Sequence, residues 1–345
     1  RKVRGQGLTR PELAVLLSYS KLVLFQQLVD SDVPEDAYLS KELVRYFPEP
    51  LQKKYAKAME QHRLKREIIA TAVTNSMVNR MGATFTMRMQ EDSGRAPSEV
   101  AKAFTITRET LDIRELWAQI DALDGKVAES VQVDALEVIW TLQRQFSRWL
   151  LSRPGAIPDI ATAVERYHDG FRDIRAGERI LPDTQRPAYE ASIREWNAKG
   201  LPPALADQLA ALPYLEPCAD IIELARERKL RPTDVAKVHF RLGDALRVPW
   251  LQQQIDALAV EGRWHAVARG ALREELGAQQ RILVAQVLSM PGANADAKVK
   301  HWLGRDDASL RFTLSMLNEL SAQKTLDYPT ASVAVQRLSQ LASRG

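Results

Sequence analysis

Apolar residues recur three and four positions apart through nearly the whole chain, and no stretch alternates apolar and polar residues as a half-buried strand does. This spacing predicts helices over 10–29, 35–46, 50–60, 63–81, 97–107, 111–123, 129–152 and 159–175. Further helices are predicted over 186–199, 203–212, 217–229, 232–246, 249–260, 263–289, 296–303, 307–322 and 329–342. The first is the best specified. Thr9 can cap it, Glu12 can reach back to complete a capping box, Pro11 suits its first turn, and Leu8 and Leu13 form the pair of a hydrophobic staple. Leu13, Leu16, Leu17, Leu24 and Leu28 follow at helical spacing. Elsewhere Asp112 and Asp159 are candidate caps, Pro97, Pro187 and Pro232 fall in first turns, and Gly82, Gly200, Gly262 and Gly304 mark ends. The expected fold is all-α: an irregular multi-helix bundle of about 15 or more helices in two subdomains, with no significant β-sheet.

Two stretches interrupt the pattern, "SRPGAIP" at 152–158 and "AGERILPDTQRP" at 176–187. They place one helical subdomain at 1–175 and a second at 185–345, with a linker near 176–187. No repeat of fixed period is present, which disfavours a solenoid.

One helix stands apart. In "REIIATAVTNSMVNRMGATF" (66–85), Ile69, Val73, Met77 and Met81 make an apolar ladder, with Ile68 and Ala72 beside it. Thr71, Asn75 and Asn79 make a polar ladder on another face, and no charge occurs between Glu67 and Arg80. Such a helix is expected to be buried on most faces, with its amides either hydrogen-bonded internally or presented to another domain or subunit. Thr71, Asn75 and Asn79 are therefore the candidate interdomain contact.

Composition narrows the class. The 345 residues are 45% hydrophobic and 27% charged, as in a globular protein long enough for two cores. The net charge of +4 comes from 48 bases interspersed with 44 acids, so no basic face points to nucleic acid. Arg1, Lys2 and Arg4 read as a solvated basic tail, and in "HRLKRE" at 62–67 the bases are flanked by Glu60 and Glu67. The single cysteine, Cys218, permits no intrachain disulfide and fits a reducing compartment. The longest charge-free run, 282–295, is shorter than a membrane span, so no membrane partner is expected. The first residue is Arg rather than Met, and the expectation is a cytoplasmic segment of a longer chain.

Candidate chemistry is sparse. There is no G-x-G-x-x-G, no P-loop, no H-E-x-x-H and no G-x-S-x-G elbow. The histidines, His62, His168, His239, His265 and His301, are scattered singly. Tyr167-His168-Asp169 offers at most a proton-transfer pair, more simply a helix-boundary histidine. Asp30, Asp32, Glu35 and Asp36 read as loop acids and caps. Asp121, Asp124 and Gly125 are similar to a calcium loop, but Ala122 replaces a second ligand. The seven tryptophans sit at apolar positions of predicted helices and read as packing residues. Hence no catalytic, cofactor-binding or metal residue is assigned.

The wording of several stretches carries a resemblance. "GLTRPELAVLLSYSKL" (7–22), "YLSKELVRYFPEPL" (38–51), "HRLKREIIATAVTNSMVNRMGATF" (62–85), "LWAQIDALDGKV" (116–127), "FSRWLL" (146–151) and "VAKVHFRLGDALRVPWL" (235–251) run in order along the chain. Together they resemble the C-terminal helical region of the large bacterial NAD-dependent glutamate dehydrogenases. The resemblance implies a parent enzyme that oxidatively deaminates L-glutamate to 2-oxoglutarate and passes hydride to NAD. The glycine-rich cofactor turn and the catalytic lysine of those enzymes have no counterpart here, so no catalytic residue is carried over. What it implies for this region is a non-catalytic structural, assembly or regulatory role with no cofactor of its own. Its partners would be the catalytic domain of the same chain and, in the parent enzyme, further copies in a homo-oligomer. The alternative is a free-standing helical adaptor that binds another protein, and a third possibility is a helical enzyme with an unrecognised carboxylate metal site.

Overall fold

The computed structural model describes residues 7–175 and 180–344. The basic start at Arg1, Lys2 and Arg4, and residues 176–179 of the expected linker, lie outside the described residues. Among those described there are helices and turns and no strand. The chain divides into two compact units, Arg1–Asp169 and Gly170–Gly345.

The helices of the first unit are α1 (Arg10–Val29), α2 (Ser40–Tyr46), α3 (Glu49–Glu60), α4 (Lys65–Met81), α5 (Phe85–Ser93), α6 (Pro97–Thr110), α7 (Ile113–Asp121), α8 (Glu129–Ser152) and the start of α9 (Ile160–Arg175). Helix α6 is the axis, touched by α1, α4, α5, α7 and α8. It can be central because Ala101 and Ala103 admit close neighbours and two of its buried threonines bond within the helix. The hydroxyls of Thr105 and Thr107 donate back to the carbonyls of Ala101 (2.9 Å) and Ala103 (2.8 Å), which removes most of the cost of burying them. Thr107 also meets Ser147 of α8 at 3.2 Å.

Two sequence expectations need correction here. The helix expected over 35–46 is a short 3-10 turn, Val33–Glu35, then α2, because Asp36 turns the chain by accepting the Tyr38 amide at 2.8 Å. Helix α5 was not anticipated. Its nine residues include Arg88, Glu91 and Asp92 and bury only Phe85 and Met89, too few anchors to register as a periodic stripe.

The second unit takes up the rest of α9, then α10 (Arg186–Ala198), α11 (Pro203–Ala211), α12 (Cys218–Arg228), α13 (Pro232–Ala245), α14 (Val248–Ala257), α15 (Arg263–Leu288), α16 (Ala295–Leu303), α17 (Ala308–Ser321) and α18 (Tyr328–Ala342). Here α13 is central, contacted by α12, α14, α15 and α16, while α18 packs along α15. Helix α13 approaches α15 closely at Gly243, where an added Cβ would lie 2.6 Å from the Gln280 amide nitrogen. That amide donates to the His239 carbonyl at 3.2 Å. Trp302 is fully buried, and Trp117 and Trp196 are also buried. Trp264 is not a packing residue as expected: it is 77% exposed at the start of α15, where no neighbouring helix covers it.

Candidate docking surface

Helix α1 begins as its sequence predicts. The Glu12 carboxylate accepts the Thr9 backbone amide at 2.8 Å and the Thr9 hydroxyl at 2.8 Å. What surrounds the helix departs from a core element. Of its apolar residues only Leu24 and Leu28 are buried, and the staple pair Leu8 and Leu13 is half exposed. Leu13, Val15, Leu16, Tyr19, Leu22 and Val23 are all at least 51% exposed. At 100° per residue the exposed apolar positions sweep roughly 220° of the helix circumference. By length and composition α1 is also the one described helix apolar enough to cross a membrane. Counting charge-free runs overlooks it, because Glu12 and Lys21 interrupt the stretch.

The C-terminal end of α1 is firmly held. Arg66, at the start of α4, donates to the carbonyls of Val29 (2.6 Å) and Ser31 (3.0 Å) and pairs with Glu35. Lys102 of α6 pairs with Asp32 at 2.6 Å. These contacts use Arg66 of the basic cluster at 62–67 and Asp32 and Glu35 of the loop acids noted in the sequence. Asp30 takes the remaining local donor, the Gln26 amide, at 2.9 Å.

Helix α4 lies against α1. Its Ile69, Val73, Met77 and Met81 are buried as the spacing predicts. Its polar row is less enclosed than expected: Thr71 and Asn75 are half-buried and Asn79 is exposed. None of the three makes a side-chain hydrogen bond among the described residues, because neighbouring helices supply apolar surface to the opposite face instead.

A buried charge cluster around Arg108 is internally satisfied. The Arg108 guanidinium, 1% exposed, donates to Glu42 (2.8 Å), Glu109 (2.7 Å) and Ser76 (3.1 Å). Arg114 closes the ring through Glu109 at 2.7 Å and through Glu42. Burial pushes the Arg108 pKa down. Burial alone would raise Glu109, but the adjacent Arg108 and Arg114 hold it below the usual carboxylate range. Burial and the neighbouring Glu109 push Tyr38 up to about 12. Sequence reasoning missed this cluster because its members are spread from Tyr38 to Arg114 and look like solvated charges.

Both ring nitrogens of His168 face carboxylates, Asp112 at 3.2 Å and Asp169 at 3.3 Å. Asp112 therefore serves as a histidine partner and makes no side-chain cap to α7, whereas Asp159 caps α9 by accepting the Thr162 amide at 3.0 Å. Asp121, in the calcium-like stretch, pairs with Arg80 at 2.6 Å. No group of three His, Cys, Asp or Glu side chains converges as a metal site among the described residues. A shallow hollow between α15 and α18, about 660 Å³, is lined by Ala268, Ala271, Leu272, Glu275, Tyr328 and Pro329 and gathers no catalytic set.

Fold and surface thus define an all-helical region with a broad exposed apolar helix and a partly covered polar row. The chain belongs to the family described as "Glutamate dehydrogenase, C-terminal", which matches residues 5–340. It is 36% identical over 98% of its length to the NAD-specific glutamate dehydrogenase of Pseudomonas aeruginosa, and 34% identical over 99% to that of Halomonas elongata. The enzyme of the same name from Mycobacterium tuberculosis is 28% identical over the full chain. The chain spans about a fifth of the length of these curated relatives, 21–22% in each case.

Proposed function

We propose that this chain is the non-catalytic C-terminal helical region of a large NAD-dependent glutamate dehydrogenase, and that it docks on the catalytic part of the same chain to support assembly or regulation. The parent reaction would convert L-glutamate, NAD and water to 2-oxoglutarate, ammonia and NADH, in cytoplasmic amino-acid catabolism. NAD would be held elsewhere in the parent chain. The observation that carries this reading is the partly open face of α4, where half-buried Thr71 and Asn75 and exposed Asn79 offer hydrogen-bonding groups that no described side chain meets. Family membership supports it, since the relatives bearing the name contain the region as a minor part of a longer chain.

The test is Asn75→Ala with Asn79→Ala in the full-length enzyme. Each amide that meets a partner contributes about 1 kcal/mol, so the pair should weaken docking roughly tenfold or more and lower activity or assembly. The melting temperature of the isolated region should not change. Intact activity and assembly, with a lowered melting temperature of the region, would assign the row to internal packing.

A further inference from the structure

We infer that residues 8–23 form a hydrophobic peg that inserts into an apolar groove in the portion of the parent dehydrogenase chain outside this region. The inference rests on the reading that such a portion lies alongside the first unit, and it names what that portion must present.

Three observations identify the occupant. The first is the spread of apolar positions. A helix that packs on one neighbour carries an apolar stripe somewhat over 100° wide, whereas the exposed apolar positions of α1 sweep about 220°. One partner helix, including α1 of a second copy, would leave much of that surface wet. A groove with two or more walls covers it.

The second is how the peg handles its polar atoms. The Ser18 hydroxyl donates to the Ala14 carbonyl at 2.9 Å, and the Ser20 hydroxyl donates to the Leu17 carbonyl at 2.8 Å. Both are turned back onto the helix, which leaves the hydroxyl of Tyr19, 63% exposed, as the polar side-chain group presented by the middle of the peg. Its exposed apolar residues display on the order of 800 Å², one partner's share of a standard protein interface and more than the largest apolar patch of most monomers.

The third is length. From Leu24 onward α1 is committed to the first unit through Leu24, Leu28 and the Arg66 clasp. The part of the helix before Leu24, residues 10–23, spans about 21 Å, short of the roughly 30 Å of a bilayer's hydrocarbon core. A protein groove therefore fits better than a membrane. The relatives supply enough chain to build one, since the matching stretch is 21% of their length.

The experiment places a benzophenone amino acid at position 16, 17 or 22 of the full-length enzyme, with light- and heavy-isotope chains mixed before irradiation in the presence of membranes. Leu16, Leu17 and Leu22 are all exposed and lie about 100–140° apart around the helix, so they face different sides. Cross-links from all three to the rest of the same chain are expected. Cross-links to the other isotope's chain, to lipid, or at none of the positions would overturn the peg. The Asn75 and Asn79 variants report docking of the region independently: if they lower activity while the cross-links fail, the peg is wrong and the docking reading stands.

Discussion

Replacing Arg108 by Met is the sharpest probe of how the first unit holds together. Met nearly matches the volume of the arginine stem and removes the guanidinium. The change takes charge-assisted hydrogen bonds from Glu42 and Glu109 and a neutral one from Ser76. Glu42 and Glu109 are themselves largely enclosed, and Arg114 with the half-exposed Arg45 at 3.3 Å from Glu42 remains to neutralise only part of their charge. Hydrogen bonds to charged groups contribute about 1.5–3 kcal/mol each, and breaking a buried ion pair costs about 3–5 kcal/mol, so a loss near 4 kcal/mol is expected. Arg114→Met should cost only about 1 kcal/mol, because a third of that side chain is open to solvent screening.

The assay is urea denaturation followed through a first-unit tryptophan such as Trp117, since two units need not unfold together. The pH dependence gives a second check. Glu109 is held below its ordinary value in the native protein, so its stabilisation is present at neutral pH and is lost as pH falls below the usual carboxylate range. Without Arg108 that contribution shrinks, so the gap between wild type and variant should be widest near pH 7 and narrow below about pH 4.5. A loss under 1 kcal/mol, or a gap that widens in acid, would refute the account of a charge network that stabilises this unit.

Two further outcomes concern the second unit. Gly170→Ala should destabilise it by about 1–2 kcal/mol, because the new Cβ would lie 2.8 and 2.9 Å from Ile222 carbons and its packing strain exceeds the helix-propensity gain. Ile222→Val in the same chain should recover part of that loss in a thermal melt. Burial pushes His239 down to about 4 from its ordinary 6.5. The unfolded chain therefore takes up a proton at higher pH than the native one. Stability contributed by the neutral ring is complete above pH 6.5 and falls by about 3 kcal/mol towards pH 4. His239→Gln should flatten that slope relative to wild type in urea titrations across this range.

The two most informative helices show why some of this was legible in the sequence and some was not. The apolar ladder of α4 and the start of α1 follow from local rules, periodicity and capping, and both appear where the residues place them. Burial is a tertiary property. Leu16 and Leu24 have the same local signature, yet one is 51% exposed and the other buried, because the neighbouring helices cover only the second half of α1. Likewise nothing in the segment around Arg108 distinguishes a buried arginine from a solvated one until Glu42 arrives from a distant helix. Trp264 is the same lesson reversed: an apolar residue at a helical position with no neighbour to cover it. The family, by contrast, was legible in the order of six short motifs, which many other sequences with equal helical propensity would lack.

The Arg66 clasp has a mechanical consequence. Helix α1 is a lever whose short arm, from Leu24 to its end, is pinned over roughly 9 Å and whose long arm extends about 21 Å beyond. A small tilt where Arg66 grips the carbonyls of Val29 and Ser31 is amplified about twofold at Thr9. Residues at the base of the helix thus set the aim of the tip, and a substitution at Arg66 would misdirect the far end of the helix without altering a single atom there.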